Sequence, residues 1–191
     1  MVVRNLGFII ALIVFGTLPA AAEPPKAAVF DFELLDTSLQ GEIKGPQADE
    51  QRRLKDVTEQ LRKGLTESGK FVVLDISPVN AAAHASNLQS CGGCDVQFAQ
   101  ELGADVAITG LVQKVSALIL NMNIYVRDAR SGQLITGMSA DFRGNTDESW
   151  SRTMSRSPSL RISTSEAPDI LCDNAFRAAA NSSSNSRFVV R

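Results

Sequence analysis

The amino-acid sequence predicts an α/β domain with a mixed sheet, in the order β-α-β-(α)-α-β-β-β-α. Three observations lead to this fold class. A long helical pattern separates two short apolar runs within residues 26–75, which implies two parallel strands joined by a helical crossover. Residues 106–112 are apolar with little alternation, as is typical of a strand covered on both faces. Residues 115–142 alternate on either side of a turn, which predicts an antiparallel hairpin.

The first strand is predicted at residues 26–34, with the sequence KAAVFDFEL. Strict alternation along a strand would place Phe30 and Phe32 together on one face. The following residues 35–47 contain two glycines and a proline, so a polar loop is expected there.

The longest helix is predicted at residues 48–68. Its apolar positions recur at steps of three and four residues and are Leu54, Val57, Leu61 and Leu65. Gly69 is expected to end the helix, and a second strand follows at 71–75. The crossover makes this strand parallel to the first, with a right-handed connection.

Two shorter helices are predicted at 79–85 and 95–102. After the hairpin, Asn145 and Glu148 stand three residues apart, which is the spacing of a capping box, so a further helix should begin there. Pro158 limits its length because proline interrupts helical hydrogen bonding.

The first hairpin strand, predicted at 115–128, carries an apolar face. Its members are Leu118, Leu120, Met122, Ile124 and Val126. The tail that follows the hairpin supplies few apolar residues, because 10 of the last 41 residues are serine. We therefore predict a single domain over 23–150 and a low-complexity, disordered tail over 151–191. The tail is either native or the product of a shifted reading frame after about Ser151, and in both cases the apolar face is expected to be uncovered.

Residues 1–22 have the pattern of a cleaved export signal. Arg4 precedes a 13-residue apolar run at 6–18, and Ala20-Ala21-Ala22 offers a cleavage site before Glu23. The run is shorter than the roughly 20 residues of a membrane span, so cleavage is favoured over an uncleaved anchor. The predicted location is the bacterial periplasm, with no transmembrane segment after cleavage.

Charge excludes one class of function. Without residues 1–22 the chain has 18 basic and 21 acidic residues, a net charge of −3. A nucleic-acid-binding domain would carry a basic excess, so we expect no nucleic-acid partner.

Cys91 and Cys94 form the only motif with evident reactivity, a Cys-Gly-Gly-Cys pair at the start of a predicted helix. In an exported protein the pair is predicted to be a structural disulfide, and a thiol-disulfide redox site is the alternative. A zinc site would need further ligands, and only His84 and the distant Cys172 are of the usual type, so no metal is predicted.

Polar side chains gather at and beyond the end of the first strand. They are Asp31, Glu33, Asp36, Thr37 and Ser38. Ligands of open α/β sheets bind outside such strand ends, so these residues are the candidate rim for a ligand or a partner. The alternative is a strand end built from turn-forming residues.

Three segments carry a resemblance to known proteins: residues 28–42, 52–75 and 91–116. They resemble an uncharacterised family of predicted secreted proteobacterial proteins. More distantly, the order of elements is similar to the amino-terminal domain of TolB and to the curli-secretion lipoprotein domain. The resemblance implies an α/β domain that acts through protein contacts at the cell envelope.

The sequence contains no phosphate-binding glycine loop, no Gly-x-Ser-x-Gly and no His-Glu-x-x-His. We therefore predict a non-enzymatic accessory module that binds an envelope protein and needs no cofactor. A thiol-disulfide redox protein and a small-ligand sensor are the alternatives.

Overall fold

The computed structural model describes residues 23–156. The strands are β1 (Lys26–Val29), β2 (Glu33–Asp36), β3 (Val72–Val73), β4 (Val106–Lys114), β5 (Leu120–Asp128) and β6 (Leu134–Phe142). The helices are α1 (Leu39–Lys44), α2 (Ala48–Ser68), α3 (Ser77–Ala85), α4 (Cys94–Glu101) and α5 (Asp147–Arg156).

All six strands of the described region belong to one mixed sheet, in the order β3-β1-β4-β5-β6, with β2 also paired to β4. β1 is parallel to both β3 and β4, and β2 is parallel to β4. β4, β5 and β6 form antiparallel pairs. The predicted fold class, the parallel crossover and the hairpin are therefore confirmed.

The prediction of one continuous first strand is wrong, because the chain gains one residue between β1 and β2. Val29 lies opposite Ile108, whereas Glu33 lies opposite Leu111, so a step of four residues faces a step of three. Such an extra residue is a bulge, and it reverses which face the following side chains occupy.

The bulge separates the two phenylalanines that strict alternation would place together. Phe32 packs in the cluster formed with α2, whereas Phe30 packs on the opposite face of the sheet, with α3 and α4. Phe30 contacts Phe98 of α4, with ring centroids 6.4 Å apart. Each face of the sheet thus receives one of these two phenylalanine rings.

The apolar face of the hairpin, which was predicted to be uncovered, is buried. Leu120, Met122, Ile124 and Val126 are at most 2% exposed and pack in one cluster with α2 and α5. α5 continues past the predicted domain end at 150 and contributes Trp150 and Met154, both fully buried. Trp150 meets Phe142 edge to face, with ring centroids 5.9 Å apart. Together with the apolar stripe of α2, these two side chains one helical turn apart close this face.

Two further expectations about the ends of strands are wrong. Leu118 is 69% exposed rather than part of the buried face, because residues 115–119 turn and β5 begins only at Leu120. The predicted loop at 35–47 instead contains the end of β2 and the short helix α1, which Ser38 caps by accepting from the N–H of Gly41. The predicted tail beyond Arg156 lies outside the described residues.

Within residues 23–156, no helix combines the length and the apolar composition that crossing a bilayer demands.

Gly110 of β4 gives a test of the bulge. A Cβ at this position would overlap the ring of Phe32. Gly110→Ala should therefore lower the free energy of unfolding by about 1–3 kcal/mol, the usual cost of overpacking a core. Urea denaturation measures the loss.

Gly137→Ala in β6 is the matched control, since its added Cβ would meet Tyr125 at an ordinary 3.5 Å and should change stability little. In a Phe32→Leu background, Gly110→Ala should cost less than in the native chain. Equal costs in both backgrounds would contradict the contact between Gly110 and the Phe32 ring.

Candidate functional site

The structure divides the predicted rim between two places. Asp36, Thr37 and Ser38 surround a buried ionic centre at the end of β2 and β4. Asp31 and Glu33 line a groove on the other side of the bulge. The five residues therefore do not form one site, because Glu33 and Asp36 stand three positions apart in β2 and so point to opposite faces of the sheet.

The ionic centre is built around Lys114, the last residue of β4, which has no exposed side-chain surface. Its Nζ donates to Glu50 Oε1 at 2.6 Å and to Asp36 Oδ2 at 2.9 Å. Ser38 Oγ donates to Asp36 Oδ1 at 2.6 Å, and Asn145 Nδ2 donates to Glu50 Oε1 at 2.6 Å. These bonds join β2, the start of α2, the end of β4 and the chain segment before α5.

Burial and hydrogen bonding oppose each other at this centre, and hydrogen bonding prevails. Burial raises the pKa of Asp36, but hydrogen bonds from Ser38 and Lys114 outweigh it, so the pKa is lowered. Burial lowers the pKa of Lys114, but hydrogen bonds to Glu50 and Asp36 raise it above its ordinary value. An amine held protonated in this way cannot act as a nucleophile or a base at neutral pH. The centre is structural.

Asn145 connects the buried ionic centre to ion pairs at the surface. Asn145 Oδ1 accepts from Trp150 Nε1 at 3.0 Å and from Arg53 Nη1 at 3.1 Å. Arg53 Nε in turn donates to Asp147 at 2.7 Å, and Arg52 also binds this carboxylate. Hydrogen bonds from the two arginines lower the pKa of Asp147. The start of α5 is thus fixed to the start of α2.

Lys114 and Glu50 were not predicted from the sequence, although a signal for each was present. Glu50 stands four residues before Leu54, so it occupies the apolar stripe of α2. Lys114 ends the most apolar strand of the chain, on the same face as Val112. A charge at a core position on each of two adjacent elements indicates a buried pair.

The groove has a volume of about 640 Å³, which is in the range of binding sites. Its floor is residues 31–35, which include the bulge and most of β2. One wall is the first half of α2, with Gln51, Leu54 and Lys55. The other wall is formed by Asn80 and by residues 83–90, the end of α3 and the loop that follows it.

Asp31 and Glu33 hold the walls of the groove. Asp31 binds Arg62 of α2 at 2.7 Å through Oδ1 and His84 of α3 at 2.8 Å through Oδ2. Glu33 Oε1 accepts from the backbone N–H of Leu88 at 2.8 Å. Each carboxylate therefore connects the floor to a flanking element, and His84 serves here as a partner of Asp31.

Of the buried side-chain polar atoms that have no hydrogen-bond partner within residues 23–156, three belong to residues that line the groove. They are Glu33 Oε2, Asn80 Oδ1 and Gln89 Nε2. A buried polar atom without a partner costs about 1–3 kcal/mol, so three of them around one groove indicate a surface suited to a hydrogen-bonding occupant. Asn80 and Gln89 carried no sequence signal, because their importance depends on their position alone.

The pair Cys91 and Cys94 is joined by a disulfide, with Cα atoms 5.8 Å apart. The bond lies directly after the groove wall at 83–90 and at the beginning of α4. Gly92 and Gly93, between the cysteines, have positive φ values, so the tight loop needs glycine at both positions. Among residues 23–156 no cluster of His, Cys, Asp and Glu could hold a metal ion, and Cys172 lies outside that range.

Lys114→Met tests the ionic centre. The substitution leaves two buried carboxylates without their ammonium partner, so the free energy of unfolding at pH 7 should fall by about 3–5 kcal/mol. The loss should be smaller at pH 5, since protonation of either carboxylate removes an uncompensated charge. Urea denaturation at both pH values measures it, with Lys63→Met on the exposed face of α2 as the control.

In the native chain, the contribution of Asp36 to stability should stay in place between pH 7 and pH 5. Because the folded-state pKa of Asp36 is lowered, this contribution is present above about pH 4 and is lost as the pH falls through the folded value. A loss of stability in Lys114→Met that is as large at pH 5 as at pH 7 would contradict the role of Lys114.

The disulfide is tested by Cys91→Ser with Cys94→Ser, in a Cys172→Ser background. A loop this short contributes about 2 kcal/mol in the chain-entropy model, so the domain should stay folded in the double variant. A redox titration should give a potential below about −300 mV, as for structural disulfides. A potential in the range of oxidoreductases, together with reduction of insulin, would instead establish the redox alternative.

Comparison with solved structures finds similar domains at low identity. The LpoB C-terminal domain from Salmonella enterica is 14% identical, with a TM-score of 0.46 over 64% of this chain and 85% of that chain. Lipoprotein GNA1162 from Neisseria meningitidis is 16% identical, with a TM-score of 0.45 over 86% and 100%. TolB from Acinetobacter baumannii, which the sequence resembles, is 15% identical, with a TM-score of 0.39 over 66% of this chain and 25% of that chain.

No curated protein matches the sequence. A family profile matches residues 25–157, which are most of the chain and span every strand and helix described above. The chain therefore belongs to DUF3280, a family described as a protein of unknown function (DUF2380).

Proposed function

We propose that this protein is an exported, non-enzymatic accessory module that binds another protein of the cell envelope through the groove along β2. The observation that carries the proposal is that three residues lining this groove each have a buried polar atom without a partner. The sequence pattern of residues 1–22 supports export to the periplasm.

Exposed apolar side chains near the groove support a protein partner over a small molecule. Leu35 lines the groove and is half exposed. Beyond the end of β2 and β4, further large apolar side chains face solvent: Leu39, Ile43, Val115, Leu118 and Ile119. Thr37 N–H donates to the carbonyl of Lys114 at 2.9 Å, which brings the start of α1 to the 115–119 turn. Clustered apolar surface of this kind is typical of protein contacts.

A small-ligand sensor is the second candidate, because a 640 Å³ groove is also large enough for a metabolite. The variant that tests the small-ligand sensor should not disturb the fold. Asp36 belongs to the ionic centre, so its substitution would destabilise the fold. Glu33 has one unpartnered oxygen in the groove, and Glu33→Gln is therefore the informative variant.

Photo-crosslinking from Lys55 tests the proposed function. A photoreactive amino acid in place of Lys55 lies in the groove wall, whereas the same residue in place of Lys63 lies on α2 outside the groove. In cells that express the full chain, we expect a crosslinked product of defined mass from position 55 and not from position 63. Mass spectrometry of the product identifies the partner.

Two alanines of α3 supply a matched pair of controls. Ala85 lines the groove and Ala82 is exposed outside it. Ala85→Trp should abolish the crosslink by filling the groove, and Ala82→Trp should leave it unchanged. Crosslinking that survives Ala85→Trp would place the contact elsewhere. A thermal shift with a metabolite that disappears in Glu33→Gln, without any protein crosslink, would favour the sensor.

A further inference from the structure

The outer edge of β2 is open, and the pattern of hydrogen bonds defines which backbone groups it presents. In a parallel pair, the N–H and C=O of one residue point to the same side, and successive residues alternate. Thr37 N–H donates to the Lys114 carbonyl, so the odd-numbered residues of β2 face β4. The N–H and C=O of Leu34 and Asp36 therefore point away from β4, where the described residues place no strand.

The backbone groups that point outward along the bulge already have hydrogen-bond partners. The carbonyl of Val29 accepts from Arg62 Nη2 at 2.8 Å, and Phe32 N–H donates to Thr58 Oγ1 at 3.1 Å. Both partners are side chains of α2, so this helix closes the edge along the bulge. The open stretch is thus confined to residues 33–36, of which 33–35 belong to the groove floor.

Charge and hydrogen-bonding capacity around this edge select the kind of side chain that would bind. Glu33 Oε2 and Asn80 Oδ1 are two acceptors without partners, and the first belongs to a carboxylate. A lysine or arginine side chain supplies the donors and the opposite charge that such a pair requires. Gln89 Nε2 is a donor without a partner on the same wall, suited to a backbone carbonyl.

We propose that the partner contributes an extended segment that pairs with the backbone of Leu34 and Asp36 as an added strand. A lysine or arginine of that segment lies against Glu33 and Asn80. This inference rests on the proposed function, because it takes the groove as the partner's binding site. Addition of a strand to an open sheet edge is an established mode of peptide recognition, in which backbone bonds supply affinity and alternate side chains supply specificity.

The test uses the purified full chain and two synthetic nine-residue peptides of alternating threonine and valine. One has arginine at its centre and the other has glutamine. Isothermal titration should show the arginine peptide binding at least tenfold more tightly than the glutamine peptide. Glu33→Gln should reduce this preference to less than threefold.

Leu34→Pro and Leu34→Ala isolate the backbone contribution. Both variants remove the branched leucine side chain, but only proline removes the outward N–H, and proline is tolerated where an edge N–H faces solvent. The arginine peptide should bind at least tenfold more weakly to Leu34→Pro than to Leu34→Ala. Circular dichroism checks that both variants are folded.

Hydrogen exchange of the native chain provides a readout that needs no variant. The amides of Leu34 and Asp36 should exchange quickly in the free protein and slow at least tenfold when the arginine peptide is bound. Unchanged exchange on binding would overturn the added strand. Amides already protected in the free protein would overturn it too, since another part of the chain or a second copy would then cover the edge.

Arginine amide alone is the last control. If it bound as tightly as the peptide, the groove would recognise a free cation and the strand proposal would fail. A different result would contradict the proposed function, namely that no crosslinked product forms from position 55. A crosslink that Ala85→Trp abolishes, combined with exchange at Leu34 and Asp36 that stays fast when the arginine peptide is bound, would keep the groove and reject only the strand.

Discussion

The single extra residue between β1 and β2 is the constraint on which both cores and both polar sites depend. Because side chains alternate along a strand, one added residue changes the face of everything that follows it. Asp36 thereby faces α2, where it reaches Lys114, and Glu33 faces the α3 side, where it reaches the N–H of Leu88. Without the bulge these two carboxylates would exchange faces, and neither would meet its partner.

The bulge is stable because its polar groups have partners and its bulky ring has space. Thr58 Oγ1 accepts from Phe32 N–H and itself donates to the Leu54 carbonyl at 2.7 Å. Gly110 offers no Cβ, which leaves room for the Phe32 ring against β4. Glycine inside a strand weakens it, and here that cost is offset by burial of a phenylalanine, which contributes roughly 1.5–3 kcal/mol.

Long, strongly periodic elements were predictable from the sequence because one physical pattern dominates each of them. α2 was predicted from its leucine stripe with the same first and last residues that the structure shows. The parallel and antiparallel pairings followed from the crossover and from the short turn near Gly132. The bulge could not be predicted, because one extra residue does not change the apolar composition of the nine-residue run at 26–34.

The covering of the hairpin by α5 could not be predicted from local sequence either. Only Trp150 and Met154 of α5 are buried, and composition made the segment look too polar to close a core. Burial depends on where side chains point rather than on their number, and a tryptophan alone buries about 150–250 Å². Of the groove, the floor residues Asp31 and Glu33 were predicted. The walls were not, because they come from elements distant in sequence.

The open edge of β2 would be a hazard if it were long. Exposed edges template unwanted pairing, and proteins limit this by keeping them short and by placing charges beside them. Here the bulge and α2 close the edge before β2, and α1 closes it after β2. On this edge, outward backbone groups of the described region therefore stay open only at Leu34 and Asp36. The carboxylate of Glu33 stands beside them.

So short an edge can contribute few backbone hydrogen bonds, each with a net value of about 0.5–1.5 kcal/mol. Discrimination between segments that pair with this edge would then come mainly from side chains, and above all from the charge at Glu33. The Cys91–Cys94 disulfide lies directly after the wall that carries Gln89. It restricts the end of that wall, and a restricted wall loses less conformational entropy when a partner binds. For the proposed partner, the disulfide would therefore favour binding by preorganising the groove rather than by contributing a contact.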